Sequence, residues 1–272
     1  MTMAAARFVT DDLARSHALE PPARRVVSLA PSCTESLLAI GAGDRLVGVE
    51  EHSELPLELG AVPRVGGFKH VDLDRVATLA PDLIVAASLH AISIVRQLGA
   101  ASERIFVAQP RTLDTIVTGM ARLAALIGIA RQAAPVIASA RERIAAVVAR
   151  TLRGGRRPLV YVEFSVRGHT GGPQSFLDDL VTKAGGVNLG GVARAEWPVI
   201  PAAVVRRLDP EIIVIAEYEG SATPASLAAR EGWDGIAAVK AGRVFTLPTI
   251  AIKRPGPGVL DGLEQLADVI GA

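Results

Sequence analysis

The sequence predicts an α/β protein with two Rossmann-like lobes joined by a long α-helix. Apolar strands and amphipathic helices alternate along most of the 272 residues, one α/β pattern occurs in both halves, and one long helical stripe separates the two copies. Alternating strands and helices are typical of parallel sheets covered by helices. The predicted organisation is an N-terminal arm at 1–24, a first lobe at 25–130, a connecting helix at 131–155 and a second lobe at 156–272.

The connecting helix is predicted from the spacing of its apolar residues. Ile137, Ala140, Ile144 and Val147 recur at the helical period and form one stripe. The glycine pair at 154–155 then ends the helix, because glycine is the residue that most readily follows a helix C-terminus. A helix of this length in mid-chain indicates a rigid connection between two lobes.

The two halves of the sequence match in the order of their elements. Residues 73–85 and 204–214 each combine a helix, a Leu-x-Pro-acid turn and an apolar strand. The opening of each half also has the same order of strand, loop, helix and glycine, at 26–43 and 159–186. This repetition predicts a duplicated lobe.

Composition excludes several classes of protein. No apolar run approaches the roughly 20 residues of a membrane span, and a net charge of +1 argues against a nucleic-acid-binding protein. The single cysteine, Cys33, excludes an internal disulfide and a cysteine-based zinc site, and we expect it to be a small buried residue. Residues 1–24 look like a loose arm without the apolar segment of a signal peptide, which favours either a cytoplasmic protein or a form without its export signal.

The first strand runs directly into a helix. Ser32 and Glu35 have the spacing of a capping box, which predicts a helix that begins at about Cys33. The free backbone N–H groups of such a helix lie at the carboxyl edge of the sheet, where α/β proteins bind ligands. We therefore expect the N-terminus of this helix to lie at a ligand-binding edge of the sheet.

Several short motifs carry a resemblance to a known family. The motifs lie at 27–35 (VSLAPSCTE), 47–49 (VGV), 73–86, 175–179 (SFLDD), 184–188 (AGGVN) and 254–257 (RPGP). With these in order, the chain resembles the helix-linked periplasmic substrate-binding proteins of ABC importers, and among them the cobalamin-binding members. The resemblance implies a non-enzymatic, monomeric protein without a catalytic cofactor, which holds cobalamin or a related corrinoid in a cleft between its lobes. It also implies an ABC importer permease as partner and a location outside the cytoplasm.

The resemblance implies a set of ligand-binding residues. They are Pro31, Ser32, His52, Phe68, Phe164, Trp197 and Arg254. His52 stands where the cobalamin binders have a tyrosine, and Phe68 where they have a tryptophan. Aromatic rings suit a flat macrocycle because buried apolar surface is worth about 25 cal/mol per Å², and an arginine suits amide, carboxylate or phosphate groups.

Histidines in the predicted ligand-side loops have two interpretations. His52, His90 and His169 are each either a hydrogen-bonding surface residue or a ligand to the metal centre of a bound cofactor, and His52 is the best-placed axial ligand. No metal site formed by protein residues alone is predicted. His17 and His70 are expected to be solvated.

The resemblance also implies a docking surface, because these binders present one exposed acid on each lobe to the transporter. The first-lobe position is Asp74, whereas the second-lobe position falls near Ala203, close to Arg206 and Arg207. Haem, a ferric siderophore or a molybdate-type oxyanion are alternative ligands for the same fold. A cytoplasmic protein or enzyme of metal-tetrapyrrole handling is the alternative from a different class, motivated by the missing leader and by Ala203.

Overall fold

The computed structural model describes residues 8–18, 20–67, 70–87, 104–153 and 155–271. The chain forms two compact units. Unit 1 comprises residues 1–110 and 115–139, and unit 2 comprises residues 111–114 and 140–272.

Unit 1 is built on a parallel four-stranded sheet. Its elements are β1 (Phe8–Thr10), β2 (Ser16–Ala18), β3 (Val26–Ser28), α1 (Pro31–Ala39), β4 (Leu46–Val49), β5 (Gly66–Gly67), β6 (His70–Val71), α2 (Leu73–Thr78), β7 (Leu83–Ala87), β8 (Ile105–Ala108) and α3 (Leu113–Leu126), whose first two residues belong to unit 2. The sheet has the order β4-β3-β7-β8, and β1–β2 and β5–β6 are small antiparallel pairs. Its strands are almost wholly buried, as expected when helices cover both faces of a parallel sheet.

Helix α1 begins earlier than the capping-box spacing predicts, so that prediction is wrong. The helix starts at Pro31, and Ala30, which has no capping side chain, is the N-cap residue. Proline is favoured at the first helical position because its φ is preset and its missing N–H is not needed there. Ser32 therefore lies inside the first turn, and its carbonyl accepts a hydrogen bond from Ser36 Oγ at 2.9 Å.

The described part of the N-terminal segment is ordered, which corrects the prediction of a loose arm. Strands β1 and β2 form a hairpin, and its turn binds strand β8. Asp12 N donates to Val107 O at 3.1 Å, and Val107 N donates to Asp11 Oδ2 at 3.2 Å. The hairpin thus covers the edge of the sheet, which would otherwise expose unpaired backbone groups.

The long helix is present as α4, which spans Ala130–Thr151 and therefore ends before the predicted boundary at 155; it runs from unit 1 into unit 2. The apolar stripe is buried, with Ile137, Ala140, Ile144 and Val147 each at most 7% exposed. Pro135 lies in its second turn. The helical period of the sequence therefore identified both the element and its buried face.

Unit 2 repeats the architecture of unit 1. Its elements after α4 are β9 (Leu159–Glu163), α5 (Phe176–Lys183), β10 (Val187–Asn188), α6 (Ala202–Leu208), β11 (Ile212–Glu217), α7 (Pro224–Ala228), α8 (Ala237–Lys240), β12 (Val244–Pro248), α9 (Thr249–Ile252) and α10 (Val259–Gly271). The parallel sheet has the order β10-β9-β11-β12, which is the order of unit 1 with each strand replaced by its counterpart. The predicted α/β fold is present in both units.

The interiors of the two units are apolar, and Cys33 and Trp233 are each 3% exposed within them. Burial raises the pKa of the Cys33 thiol to about 12, so the cysteine is a packing residue, as predicted. None of the helices in the described ranges is long and apolar enough to cross a membrane.

Candidate functional site

The strongest candidate site lies at the carboxyl edge of the unit 2 sheet. Strands β9, β11 and β12 are parallel, so the segments that follow them leave the sheet at the same edge. Phe164 follows β9 directly, Tyr218 follows β11, and Lys253 follows the short helix α9 after β12. This is the edge at which open α/β sheets bind ligands.

A short antiparallel ladder positions Trp197 at this edge. Thr170 N donates to Pro198 O at 3.0 Å, and Gly172 N donates to Glu196 O at 2.8 Å. A side chain at Gly172 would place its Cβ 2.2 Å from Ala195 O, so only glycine allows the two segments to approach. The loop after β9 thus holds the Trp197 segment in a fixed register.

Trp197 packs on two buried phenylalanine rings. The ring centres of Trp197 and Phe164 are 6.0 Å apart with their planes 28° from parallel, and those of Trp197 and Phe176 are 5.5 Å apart at 52°. Phe164 is 5% exposed and Phe176 is 2% exposed, whereas Trp197 is 36% exposed. The cluster therefore presents one accessible aromatic side chain on a rigid apolar support.

A cation lies beside this aromatic cluster. Lys253 Nζ is 4.8 Å from the centre of the Tyr218 ring and 5.9 Å from that of Phe164, and it donates to Phe164 O at 3.4 Å. Desolvation and the adjacent positive charge of Arg254 lower the pKa of the Lys253 ammonium. Arg254 itself is half-buried in the turn after α9.

An ion pair lies directly behind the cluster. Glu163, the residue before Phe164, is 1% exposed, and its two carboxylate oxygens accept from Arg230 Nη1 and Nη2 at 2.6 and 2.7 Å. The Arg230 guanidinium also lies 4.8 Å from the centre of the Trp233 ring. These contacts fix the end of β9 and so the backbone of Phe164.

Another polar pair lies in the loop after β9. His169 Nδ1 is 2.7 Å from Ser165 Oγ, and His169 O accepts from Phe164 N at 2.8 Å. His169 also faces Val199 in an antiparallel bridge. The His169 side chain is exposed. Its Nδ1 atom and its backbone carbonyl are nevertheless each fixed by a hydrogen bond.

The carboxyl edge of the unit 1 sheet carries buried polar groups. Thr34 Oγ1 lies 2.8 Å from Ser28 Oγ and 2.9 Å from Ser53 Oγ, and all three residues are at most 3% exposed. Glu50 is also buried, and its Oε2 accepts from His52 N at 2.9 Å, whereas its Oε1 has no partner among the described residues.

The residues predicted at the unit 1 edge differ in accessibility. Pro31 is half-buried, Ser32 is 8% exposed, and the His52 side chain is exposed. Phe68 and His90 lie outside the described residues. Asp74 is exposed in the first turn of α2.

Sequence reasoning found part of the cluster in unit 2. Of the predicted residues, Phe164, Trp197 and Arg254 lie at one edge of one sheet. Their partners Phe176, Tyr218 and Lys253 were missed, although the positions of Tyr218 and Lys253 after successive strand ends were a signal that could have found them.

A cavity of about 680 Å³ in unit 1 lies away from these groups. It is lined by residues at the amino ends of β7 and β8 and by the hairpin, among them Arg15, Asp82 and Arg104. Arg15 pairs with Asp11, Asp82 accepts from Arg24 N and Arg25 N, and Arg104 donates to Pro81 O. These charged groups have structural partners, so we do not assign this cavity to a ligand.

Comparison with known proteins agrees with this architecture. The family described as periplasmic binding protein matches residues 26–251. The chain belongs to the periplasmic binding protein family. It is thus a substrate-binding protein of the ABC-importer type, and the fold class and family predicted from the sequence are confirmed.

Two curated relatives and one solved structure are 25–27% identical to this chain. An ABC transporter substrate-binding lipoprotein of Bacillus subtilis, YvrC, is 26% identical over 91% of this chain and 80% of its own. A vitamin B12-binding protein of Vibrio cholerae is 27% identical over 90% of this chain and 88% of its own. The crystal structure of the Vibrio cholerae periplasmic vitamin B12 binding protein BtuF superposes with a TM-score of 0.78, at 25% identity over 92% of this chain and 97% of that one.

Proposed function

We propose that the protein binds cobalamin or a related corrinoid and delivers it to the permease of an ABC importer on the outer side of the cytoplasmic membrane. The observation that carries the proposal is the accessible Trp197 ring on its buried support of Phe164 and Phe176, with the Lys253 ammonium beside it. A corrin ring has flat apolar faces and a polar rim of amides, and cobalamin adds a phosphate. Burying the flat face on Trp197 is worth about 25 cal/mol per Å², and a cation suits the rim.

The proposal assigns contacts to both units. In unit 2 the ligand contacts Phe164, Trp197 and Arg254, with Lys253 added to the set. In unit 1 it contacts Pro31, Ser32 and His52, and also Phe68, which lies outside the described residues. The proposal keeps the lobe boundaries predicted from the sequence, which are 25–130 and 156–272 with a connecting helix at 131–155. The names of the Vibrio cholerae relatives support the ligand class.

Calorimetric titration with cyanocobalamin tests the proposal, with tryptophan fluorescence as a second readout. Of the two tryptophans in the chain, Trp197 is exposed and Trp233 is 3% exposed, so binding should quench mainly the Trp197 emission. Trp197→Ala should weaken binding at least tenfold, because removal of a central aromatic contact commonly costs about 2 kcal/mol. Phe8→Ala is the matched control, since Phe8 is a 57% exposed aromatic of the hairpin. If the titration released no heat, and if cyanocobalamin also left the melting temperature of the protein unchanged, a corrinoid ligand would be rejected.

The same assay separates the alternative ligands. Haem should bind through the same aromatic cluster, and its affinity should also fall in Trp197→Ala. Molybdate has no apolar surface, so Trp197→Ala should leave its affinity unchanged. Tight molybdate binding that Trp197→Ala leaves intact would replace the corrinoid proposal with an oxyanion one. Membership of a substrate-binding family favours all of these over a tetrapyrrole enzyme.

A further inference from the structure

We propose that His169 is an axial ligand, through its Nε2 atom, to the metal at the centre of the bound macrocycle. The inference rests on the proposed function, because it needs a metal macrocycle as the ligand. It replaces His52 with His169 as the histidine that meets the metal, and it adds Ser165 as the residue that orients the imidazole.

The hydrogen bond from His169 to Ser165 is the first observation. Histidines that bind metals almost always use their second ring nitrogen in a hydrogen bond, which fixes the tautomer and the ring orientation. In His169 that second nitrogen is Nδ1, 2.7 Å from Ser165 Oγ. With the proton on Nδ1 donated to this oxygen, Nε2 carries a lone pair and is the free end of an exposed side chain.

The position of His169 beside the aromatic cluster is the second observation. His169 faces Val199 in the antiparallel ladder, and Trp197 lies two residues from Val199 on the same face because side chains alternate along a strand. Burial follows this alternation: His169, Val199 and Trp197 are exposed, whereas Thr170 and Ile200 are buried. Diagonal neighbours in such a ladder are about 7–8 Å apart, within reach of long side chains. Imidazole and indole thus share one accessible face.

The other described histidines lack this combination. His17 was expected to be solvated, but it is buried at 7% exposed and lies 3.2 Å from Asp11 Oδ2 in the hairpin. His52 and His70 are exposed, and no hydrogen bond joins either ring to another residue within the described ranges. Across the described ranges there is also no group of three or more residues that could hold a metal ion by itself. A single oriented histidine such as His169 can supply one axial bond to a metal whose other ligands come from a macrocycle.

The ligand class follows from this chemistry. Coordination replaces one metal-bound water with His169 Nε2; the water leaves, the histidine lone pair forms the new bond, and the oxidation state of the metal is unchanged. The preferred ligand is thus a corrinoid with an exchangeable axial position, such as one that lacks the nucleotide base. Cyanocobalamin, whose two axial positions are filled, should bind through the aromatic cluster without this bond.

Absorption titration with diaquacobinamide tests the inference. The wild-type protein should shift the visible bands of the corrinoid as nitrogen replaces water, and His169→Ala should abolish the shift and weaken binding at least tenfold. Ser165→Ala should keep the shift but weaken binding roughly tenfold, the usual scale for loss of a residue that orients a metal ligand. His70→Ala, another exposed histidine variant, is the control and should match the wild type.

The outcomes separate the inference from the proposed function. Calorimetric binding of diaquacobinamide without a band shift, or a shift that survives in His169→Ala, would overturn the axial role and leave the corrinoid site standing. A shift lost in His52→Ala instead would assign the axial ligand to His52. Failure of both cyanocobalamin and diaquacobinamide to bind the wild-type protein would reject the proposed function together with the axial ligand.

Discussion

At the scale of single residues, the buried ion pair behind the aromatic cluster determines how firmly the site is held. Glu163 is almost fully buried, and Arg230 neutralises it through two hydrogen bonds. Glu163 directly precedes Phe164. The ion pair therefore stabilises unit 2 and also fixes the position of Phe164 in the aromatic cluster. An ionised carboxylate left in this position without a partner would carry a large desolvation penalty.

We therefore expect Arg230→Met to lower the free energy of unfolding by about 3–5 kcal/mol, the usual cost of breaking a buried pair. Urea denaturation of the variant measures this loss. The matched control is Arg156→Met, because the side chain of Arg156 is 81% exposed in its pair with Glu211, and an exposed pair is worth about 1 kcal/mol or less. Glu163→Gln in the Arg230→Met background should restore part of the stability. Equal losses in the two single variants would contradict a special role for the buried pair.

At the scale of elements, the N-terminal hairpin depends on one buried carboxylate. Asp11 Oδ1 accepts from Leu13 N and Arg15 N at 3.0 and 2.9 Å, and its Oδ2 accepts from Arg15 Nη2 at 2.6 Å. Burial alone would raise the pKa of this carboxyl, but the hydrogen bonds from Arg15, His17 and Val107 outweigh it and lower the pKa below its usual value. The corresponding stability is present above about pH 4, the pKa in the unfolded chain, and is lost as the pH falls through the lowered folded value.

Asp11→Asn should consequently destabilise the protein by roughly 2–3 kcal/mol at pH 7, since hydrogen bonds to charged groups are the stronger ones. The wild-type protein should lose stability more steeply than the variant as the pH falls below about 4. Urea midpoints measured between neutral and acidic pH check both statements. Asp44→Asn is the control, because the Asp44 side chain is 68% exposed. Parallel pH profiles for the wild type and Asp11→Asn would exclude this role for Asp11.

The duplicated turns show how far sequence patterns reach at the element scale. The Leu-x-Pro repeat was evident from the sequence, and the structure gives both middle residues the same left-handed backbone, with φ of 43° at Ala80 and 51° at Asp209. Helix α4 and the α/β order were also predictable, because each depends on local periodicity. The hairpin was not, because Asp11 finds Val107 only when distant segments fold together. Phe176 was not predicted for the same reason, because its contact with Trp197 depends on the antiparallel ladder between residues 170–172 and 196–198.

At the scale of the whole molecule, charge is nearly balanced, with a net value of +1. Any electrostatic contribution to recognition by a permease therefore depends on where individual charges lie. Asp74 is exposed in the first turn of α2, where the helix dipole favours an acid. At the corresponding place in unit 2, Ala203 is exposed in the first turn of α6, and Arg206 and Arg207 lie in its last turn. The proposed docking surface thus has its acid on unit 1.

This asymmetry makes Asp74 the residue on which delivery to the permease should depend. We expect Asp74→Asn to weaken docking about tenfold, the equivalent of 1.4 kcal/mol, a size that one interfacial charge can contribute. Affinity for the corrinoid should be unchanged, because Asp74 is not among the proposed ligand residues. Uptake by vesicles that contain the permease measures the first quantity, and calorimetry measures the second.

The control for this experiment is Glu58→Gln, an exposed acid of the same unit, which should leave both uptake and binding at wild-type values. Raising the salt concentration should reduce wild-type uptake and have less effect on Asp74→Asn, since screening acts on the charge that the variant has lost. Vesicle uptake that Asp74→Asn leaves at the wild-type rate would show that the permease recognises another surface. Loss of corrinoid binding in the same variant would place Asp74 in the ligand site.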